Sequence, residues 1–157
     1  MAIALSLKQY LDGRGVSYDV VAHEQTLRST STARAASIPE DNLAKGVLIK
    51  YRNGYILAIV PASHHVRLDE LAALYERRVG LATEAEVAKI FKDCDTGAVP
   101  PVADAYGLEA VMDDSLEGFN EIYFEGGDHR TLVHVRGREF HKLMANVPHA
   151  TISERRH

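Results

Sequence analysis

Three stretches of the chain hold residue types that could do chemistry. The first is Lys45, which stands just before the apolar run Gly46-Val47-Leu48-Ile49. A lysine at the mouth of a buried strand has a packed stem, so its ammonium can bind a phosphate or carboxylate or polarise a carbonyl. The same placement also suits a lysine that only snorkels out from a strand end. The second stretch is Thr96-Gly97-Ala98-Val99-Pro100-Pro101. Glycine admits close backbone approach and the prolines stiffen the far end of the loop, so N–H groups from Thr96 to Val99 could cradle a phosphate or an oxyanion. A sharp structural turn is the plain alternative. The third is Gly126-Gly127-Asp128-His129-Arg130, where Asp beside His could orient an imidazole; a polar β-turn has the same composition.

Other reactive residues lack a supporting pattern. The chain has eight histidines, but His64 and His65 are adjacent and neighbours in an extended chain point opposite ways, while His134 and His141 stand alone. No metal-ligand spacing, P-loop, nucleophile elbow or dinucleotide fingerprint is present, so no metal and no cofactor are expected. Cys94 sits in Asp93-Cys94-Asp95, and flanking carboxylates raise a thiol pKa and blunt its nucleophilicity.

These residues must be held by alternating helical and strand patterns. Ser6-Leu7-Lys8-Gln9 reads as a capping box opening a first helix that Gly13 and Gly15 stop. Tyr18 to Ala22 reads as a strand, and Ser29 to Ser37 as a second helix ended before Pro39. Val47-Leu48-Ile49 and Tyr55 to Val60 flank Tyr51-Arg52-Asn53-Gly54; Asn-Gly between apolar runs predicts a hairpin turning at two φ > 0 positions. Both arms are apolar throughout, as in central strands covered on two faces. Leu68, Leu71, Ala72 and Leu74 are helically spaced, and Val79 to Ala82 is strand-like. Thr83-Glu84-Ala85-Glu86 is a second capping box, before a helix with Val87, Ile90 and Phe91 inward. Lys92 to Leu108 reads as a long ordered loop. Residues 110–112, 122–124 and 131–135 read as strands, and Phe140, Leu143 and Met144 mark a last helix ending before Pro148. The pattern predicts an α+β (mixed α/β) domain over residues 1–157: a central mixed, largely antiparallel sheet of about six or more strands flanked by helices.

Composition narrows the function classes. The 157 residues are 46% hydrophobic and 25% charged, the values of an ordinary soluble domain. A net charge of −4 argues against a nucleic-acid coat, and one cysteine excludes an internal disulfide. The opening Met1-Ala2-Ile3-Ala4-Leu5-Ser6-Leu7 lacks a basic n-region and no apolar run approaches membrane-spanning length, so a cytoplasmic protein with no membrane contact is expected.

Taken in order, the segments resemble the YbaK/EbsC family, related to the editing domain inserted in bacterial prolyl-tRNA synthetases. The likeness spans nearly the whole chain. Leu11-Asp12 through Tyr18-Asp19-Val20-Val21 to His23 looks like the family's first helix and strand, and Leu43-Ala44-Lys45-Gly46-Val47-Leu48-Ile49 like its lysine strand. Gly97-Ala98-Val99-Pro100-Pro101 looks like its G-x-x-x-P loop, and Met112-Asp113-Asp114-Ser115-Leu116 like the Asp-containing strand after it. Ile122 to Gly127 and Phe140 to Leu143 resemble its C-terminal section. The resemblance implies a metal-independent hydrolase, an aminoacyl-tRNA deacylase acting in trans on misacylated tRNA. Lys45 then takes the family's functional lysine role, near the terminal phosphate or the scissile ester. Gly97, Ala98, Val99, Pro100 and Pro101 cradle the aminoacyl group, with Asp113, Gly127 and His129 as further substrate-binding candidates. The implied partner is the acceptor end of misacylated tRNA, with a synthetase as a second partner and no DNA. Gly46 departs from the family's usual Thr or other polar residue, and Pro100-Pro101-Val102 from its frequent Pro-Phe. A catalytically weak binding or regulatory module of the same fold is the alternative, and a small esterase unconnected with RNA the third reading. The net charge then excludes coating of RNA but not recognition of one acceptor end by local cations; Lys45, Lys50, Arg52, Arg130, Arg136 and Arg138 are expected near the site.

Overall fold

The computed structural model describes residues 3–26 and 28–156; Met1 and Ala2 of the opening stretch and the last histidine, His157, lie outside the described residues. Among the described residues five α-helices and ten strands run in the order α1 (Leu5–Gly13), β1 (Asp19–Ala22), α2 (Ser29–Ala35), β2 (Leu43–Tyr51), β3 (Gly54–Pro61), β4 (His64–Val66), α3 (Leu68–Tyr75), β5 (Val79–Leu81), α4 (Glu84–Ile90), β6 (Glu109–Asp113), β7 (Glu121–Glu125), β8 (Thr131–Arg136), α5 (Gly137–Leu143), β9 (His149–Ala150) and β10 (Ser153–Arg155). An eight-stranded sheet runs β1-β8-β7-β2-β3-β6-β9 with β5 also on β2, while β4 and β10 form a separate pair. The sheet is mixed: β1–β8, β7–β8, β2–β3 and β2–β5 are antiparallel, whereas β2–β7, β3–β6 and β6–β9 are parallel.

Alternation along β2 and β3 separates two cores. Ala44, Leu48, Leu57 and Ile59 face α1, α4 and α5, whose Leu7, Leu11, Val87, Phe91 and Phe140 pack on them. Ile49, Ile56, Ala58 and Val60 face the other way, onto Leu71 of α3 and Ile152. A third cluster on that second face joins Ala33 of α2 with Leu43, Ala62 and Leu132. Both faces of the hairpin are therefore covered, as its continuous apolar arms require.

Local chemistry departs from expectation at two places. No side chain caps α1; its N-cap is Ala4, and the Ser6 amide donates instead to Asp93 Oδ2 at 2.8 Å. A tertiary acceptor has replaced the local box. The hairpin pairs Tyr51 with Gly54, so its loop is Arg52-Asn53 and not Asn53-Gly54. Neither Asn53 nor Gly54 is among the positive-φ residues, so the turn forms without the left-handed conformations its sequence invites. The Thr83 box forms in full, with the Glu86 amide donating to Thr83 Oγ1 and the Thr83 amide to Glu86 Oε1. The long loop holds a 3-10 turn at Ala103–Tyr106.

Candidate functional site

The site is built around an interruption in the sheet. On one edge of β2, pairing with β7 covers Leu43 and Ala44, and pairing with β5 resumes at Ile49. The Ala62 amide of the β3 side donates to Leu43 C=O, whereas the Ala82 amide, just after β5, donates to Leu48 C=O. Odd residues of β2 therefore direct backbone groups toward β3 and even residues toward the interrupted edge. Gly46 lies in the interval, its N–H and C=O pointing into the gap between β7 and β5. A cavity of about 240 Å³ fills that gap, lined by Gly46, Val47, Val87, Thr96, Gly97 and Val99 among others. A Cβ on Gly46 would stand 3.0 Å from Leu57 Cδ1, so the missing side chain lets buried Leu57 pack closely over this part of β2.

The Gly97 loop reaches the gap through a small set of bonds. The Asp95 amide donates to Gly127 C=O at 2.7 Å, fastening the loop to the β7–β8 turn. A Cβ on Gly127, whose φ is +118°, would meet Ala4 Cβ at 3.1 Å and Cys94 Sγ at 3.3 Å, so the glycine permits this close approach. His129 is only 4% exposed, and its Nε2 donates to Thr96 C=O. Gly97 adopts φ +86°. Thr96 and Gly97 are exposed at the mouth, whereas Ala98, Val99, Pro100 and Pro101 are buried behind them. The Ala98 amide donates to Asp95 C=O at 3.0 Å, so this donor of the expected nest is used within the loop.

Lys45, next to Gly46 in β2, lies on the other face of the sheet and does not line this cavity. Its side chain leaves β2 on the same side as Leu43 and Val47, opposite the cluster that holds Val99. It is half-buried, and burial together with the Arg156 guanidinium draws its pKa down to about 8, against a smaller upward pull from Glu40. Lys45 and the Gly97 loop thus lie on opposite faces of β2, on either side of Gly46, and do not face each other across a cleft.

Asp113 lies on the Lys45 face, one strand beyond Val60, but its oxygens are engaged elsewhere. It is buried at the end of β6, with Oδ1 accepting from the Ile152 amide at 2.8 Å and Oδ2 from the Ser115 amide and hydroxyl. Burial acts to raise its pKa, but these hydrogen bonds outweigh it and hold the carboxyl below the usual range. Its place is to tie down the C-terminal segment. The expected cation patch is also redistributed. Arg136 and Arg138 line a separate cavity with Phe119 and Phe140, Lys50 pairs with Glu86 at 2.8 Å, and Lys50 and Arg52 share the hairpin tip with Arg77 and Arg78. Arg130 is exposed on the β7–β8 turn, where it donates to Gln25. Burial and the neighbouring carboxylates push the Cys94 thiol up to about 12.

Two residues at the site carry no signal in the sequence. Arg156 is one. The other is Glu125, the last residue of β7, which comes next in register after the pairs Leu43–Tyr123 and Ala44–Phe124 and so lies on the same face of the sheet as Lys45. It is 5% exposed, neither carboxylate oxygen has a hydrogen-bond partner, and burial pushes its pKa up to about 7. Thr32 acts on it from α2, but the Thr32 hydroxyl itself donates to Arg28 C=O at 3.0 Å. An acidic residue before Gly-Gly reads as the start of a polar turn, and only the parallel β2–β7 register reveals its burial.

Comparison with known proteins identifies the family and the fold. The model of the aminoacyl-tRNA editing domain matches residues 23–143, and the chain belongs to that family. No curated protein matches. Among solved structures, a scaffold protein used for presenting grafted linear epitopes has 25% identity and a TM-score of 0.84, covering 96% of this chain and 97% of its own. A proposed trans-editing enzyme for prolyl-tRNA synthetase has 24% identity and a TM-score of 0.82, with 95% of each chain covered. A hypothetical protein has 21% identity and a TM-score of 0.84, covering 95% of this chain and 99% of its own. The likeness therefore runs the length of the fold. Among the described residues no helix is long and apolar enough to cross a membrane.

Proposed function

We propose that the protein is a trans-acting aminoacyl-tRNA deacylase of the cytoplasm that hydrolyses the ester of a misacylated tRNA at its acceptor end. The observation that carries this reading is the interruption beside Gly46, with a half-buried cation on one face and the Gly97 loop on the other. Ester hydrolysis adds water to the carbonyl carbon and places negative charge on the carbonyl oxygen before the ribose oxygen leaves. Fixed N–H donors at Thr96 and Gly97 suit that charge, and His129 and Gly127 act as positioning residues by fixing the loop. Lys45 supplies the positive charge that holds the terminal nucleotide or the ester. At roughly 30 Å³ per water-sized group, the cavity of about 240 Å³ suits a small aminoacyl group. An activated ester needs neither metal nor cofactor here. A synthetase is a fitting second partner, since a chain with net charge −4 has little general attraction for RNA.

The experiment is a deacylation series over several mischarged tRNAs. Hydrolysis of at least one, with the correctly charged counterpart spared, supports the reading. Binding of an aminoacyl-adenosine mimic without hydrolysis of any tRNA would instead make the chain a binding module, and faster cleavage of simple amino-acid esters would make it a general esterase.

A further inference from the structure

The C-terminal strand lies far from Lys45 in sequence, yet the residue that follows it, Arg156, docks on Ala62 and Ser63, next to the start of the strand that carries Lys45. Strand β10 pairs with β4, Ser153 opposite Val66 and Arg155 opposite His64. The Arg156 amide then donates to Ser63 C=O at 3.0 Å and its guanidinium to Ala62 C=O. Ala62 in turn donates its amide to Leu43 C=O at 2.7 Å, at the start of the strand that carries Lys45, and Lys45 is paired across the hairpin with Val60. We propose that Arg156 and Lys45 form a two-cation seat for a phosphate of the RNA acceptor end.

The charges around this pair leave it uncompensated. Arg155 takes up Asp41 at 3.1 Å, and the Ser63 hydroxyl donates to the same carboxylate. Both oxygens of Asp113 are occupied by Ile152 and Ser115. His64 Nδ1 meets Ser153 Oγ at 2.8 Å. Burial lowers the His64 pKa, and Arg155 and Lys45 add to that against Asp113 and Asp41, so this ring adds no counter-charge. Among the described residues Glu40 is the one carboxylate acting on Lys45, and neither Lys45 nor Arg156 takes part in a salt bridge. Two neighbouring cations with no ion-paired carboxylate repel each other until an anion arrives, and a guanidinium with an ammonium is well matched to phosphate oxygens. The inference rests on the reading that the substrate is a tRNA, and it adds the tail as the source of a second cation.

The test is binding of adenosine 5′-monophosphate and of adenosine to the full chain at low salt. The native protein should prefer the phosphorylated form, and Arg156→Gln should reduce that preference about tenfold to hundredfold, the worth of a charge-assisted hydrogen bond. Arg156→Lys, which keeps the charge, should restore most of it. Arg156→Gln should also raise the titration midpoint of Lys45, which a merely structural tail residue would not do. An unchanged preference in Arg156→Gln, or no preference in the native protein, overturns the proposal. Neither ligand contains an ester, so that failure leaves the deacylase reading standing. Loss of deacylation with the phosphate preference intact would count against that reading alone.

Discussion

Glu125→Gln should make the protein more stable at neutral and alkaline pH while leaving acid stability almost unchanged. The wild-type carboxyl is buried with neither oxygen hydrogen-bonded, and its pKa rises from 4.5 to about 7. Folding therefore favours the protonated acid. Its stabilising effect is complete below the unfolded value near 4.5 and is lost as pH rises through about 7. A shift of this size is worth about 3 kcal/mol over the whole window, of which about 2 kcal/mol falls between pH 5.5 and 8.5. Glutamine keeps the shape and carries no charge, so the variant should lack this slope. Urea unfolding of both proteins at several pH values isolates the effect, because Lys45, His64 and the other titrating groups are common to both. A difference of about 2 kcal/mol that grows from pH 5.5 to 8.5 is expected. A difference that stays flat across that range would refute the assignment of Glu125 as a buried, unpartnered acid.

Further expectations concern the loop. His129→Ala removes the donor to Thr96 C=O and leaves that carbonyl without its partner, a loss of about 1–3 kcal/mol of loop order. It should lower kcat/KM for deacylation roughly tenfold to a hundredfold, while hydrogen exchange quickens at residues 95–98 and not in β2. Gly127→Ala places a Cβ at φ +118° within 3.1 Å of Ala4 and 3.3 Å of Cys94. The strain should cost about 1–3 kcal/mol in thermal unfolding and loosen the same loop. If Arg156 meets phosphate as proposed, the salt slope of tRNA binding should fall by about one unit in Arg156→Gln.

The parts of the fold that are legible in the sequence are those whose cause is local. The β2–β3 hairpin arises from two apolar runs about a short turn, and α4 from a capping box whose two hydrogen bonds both form. The turn itself sits one residue earlier than Asn-Gly predicts because the strands continue pairing to Tyr51 and Gly54, and sheet register overrides the local preference. Ser6 is not the cap because the helix already begins at Leu5, and Asp93, distant in sequence, accepts from the Ser6 amide in place of Gln9. Strands β4, β9 and β10 are two or three residues long and exist only through pairing with remote segments, so no periodicity could announce them. The site divides in the same way. Lys45, Gly97, Gly127 and His129 stand out by residue type. Asp113 is suggested by chain position and proves to hold Ile152 and Ser115 instead. Glu125 and Arg156 gain their significance from a parallel register and from a docked tail, neither of which leaves a local pattern.

The most direct measurement is single-turnover deacylation by the native protein and by Lys45→Ala on a mischarged tRNA that the native protein cleaves. The side chain is half-buried and has no salt bridge among the described residues, so its removal should leave the thermal unfolding temperature nearly unchanged. The rate should nevertheless fall by a factor of about one hundred or more, as for loss of a group that stabilises transition-state charge. Equal rates for the two folded proteins would contradict the placement of chemistry at the β2 gap.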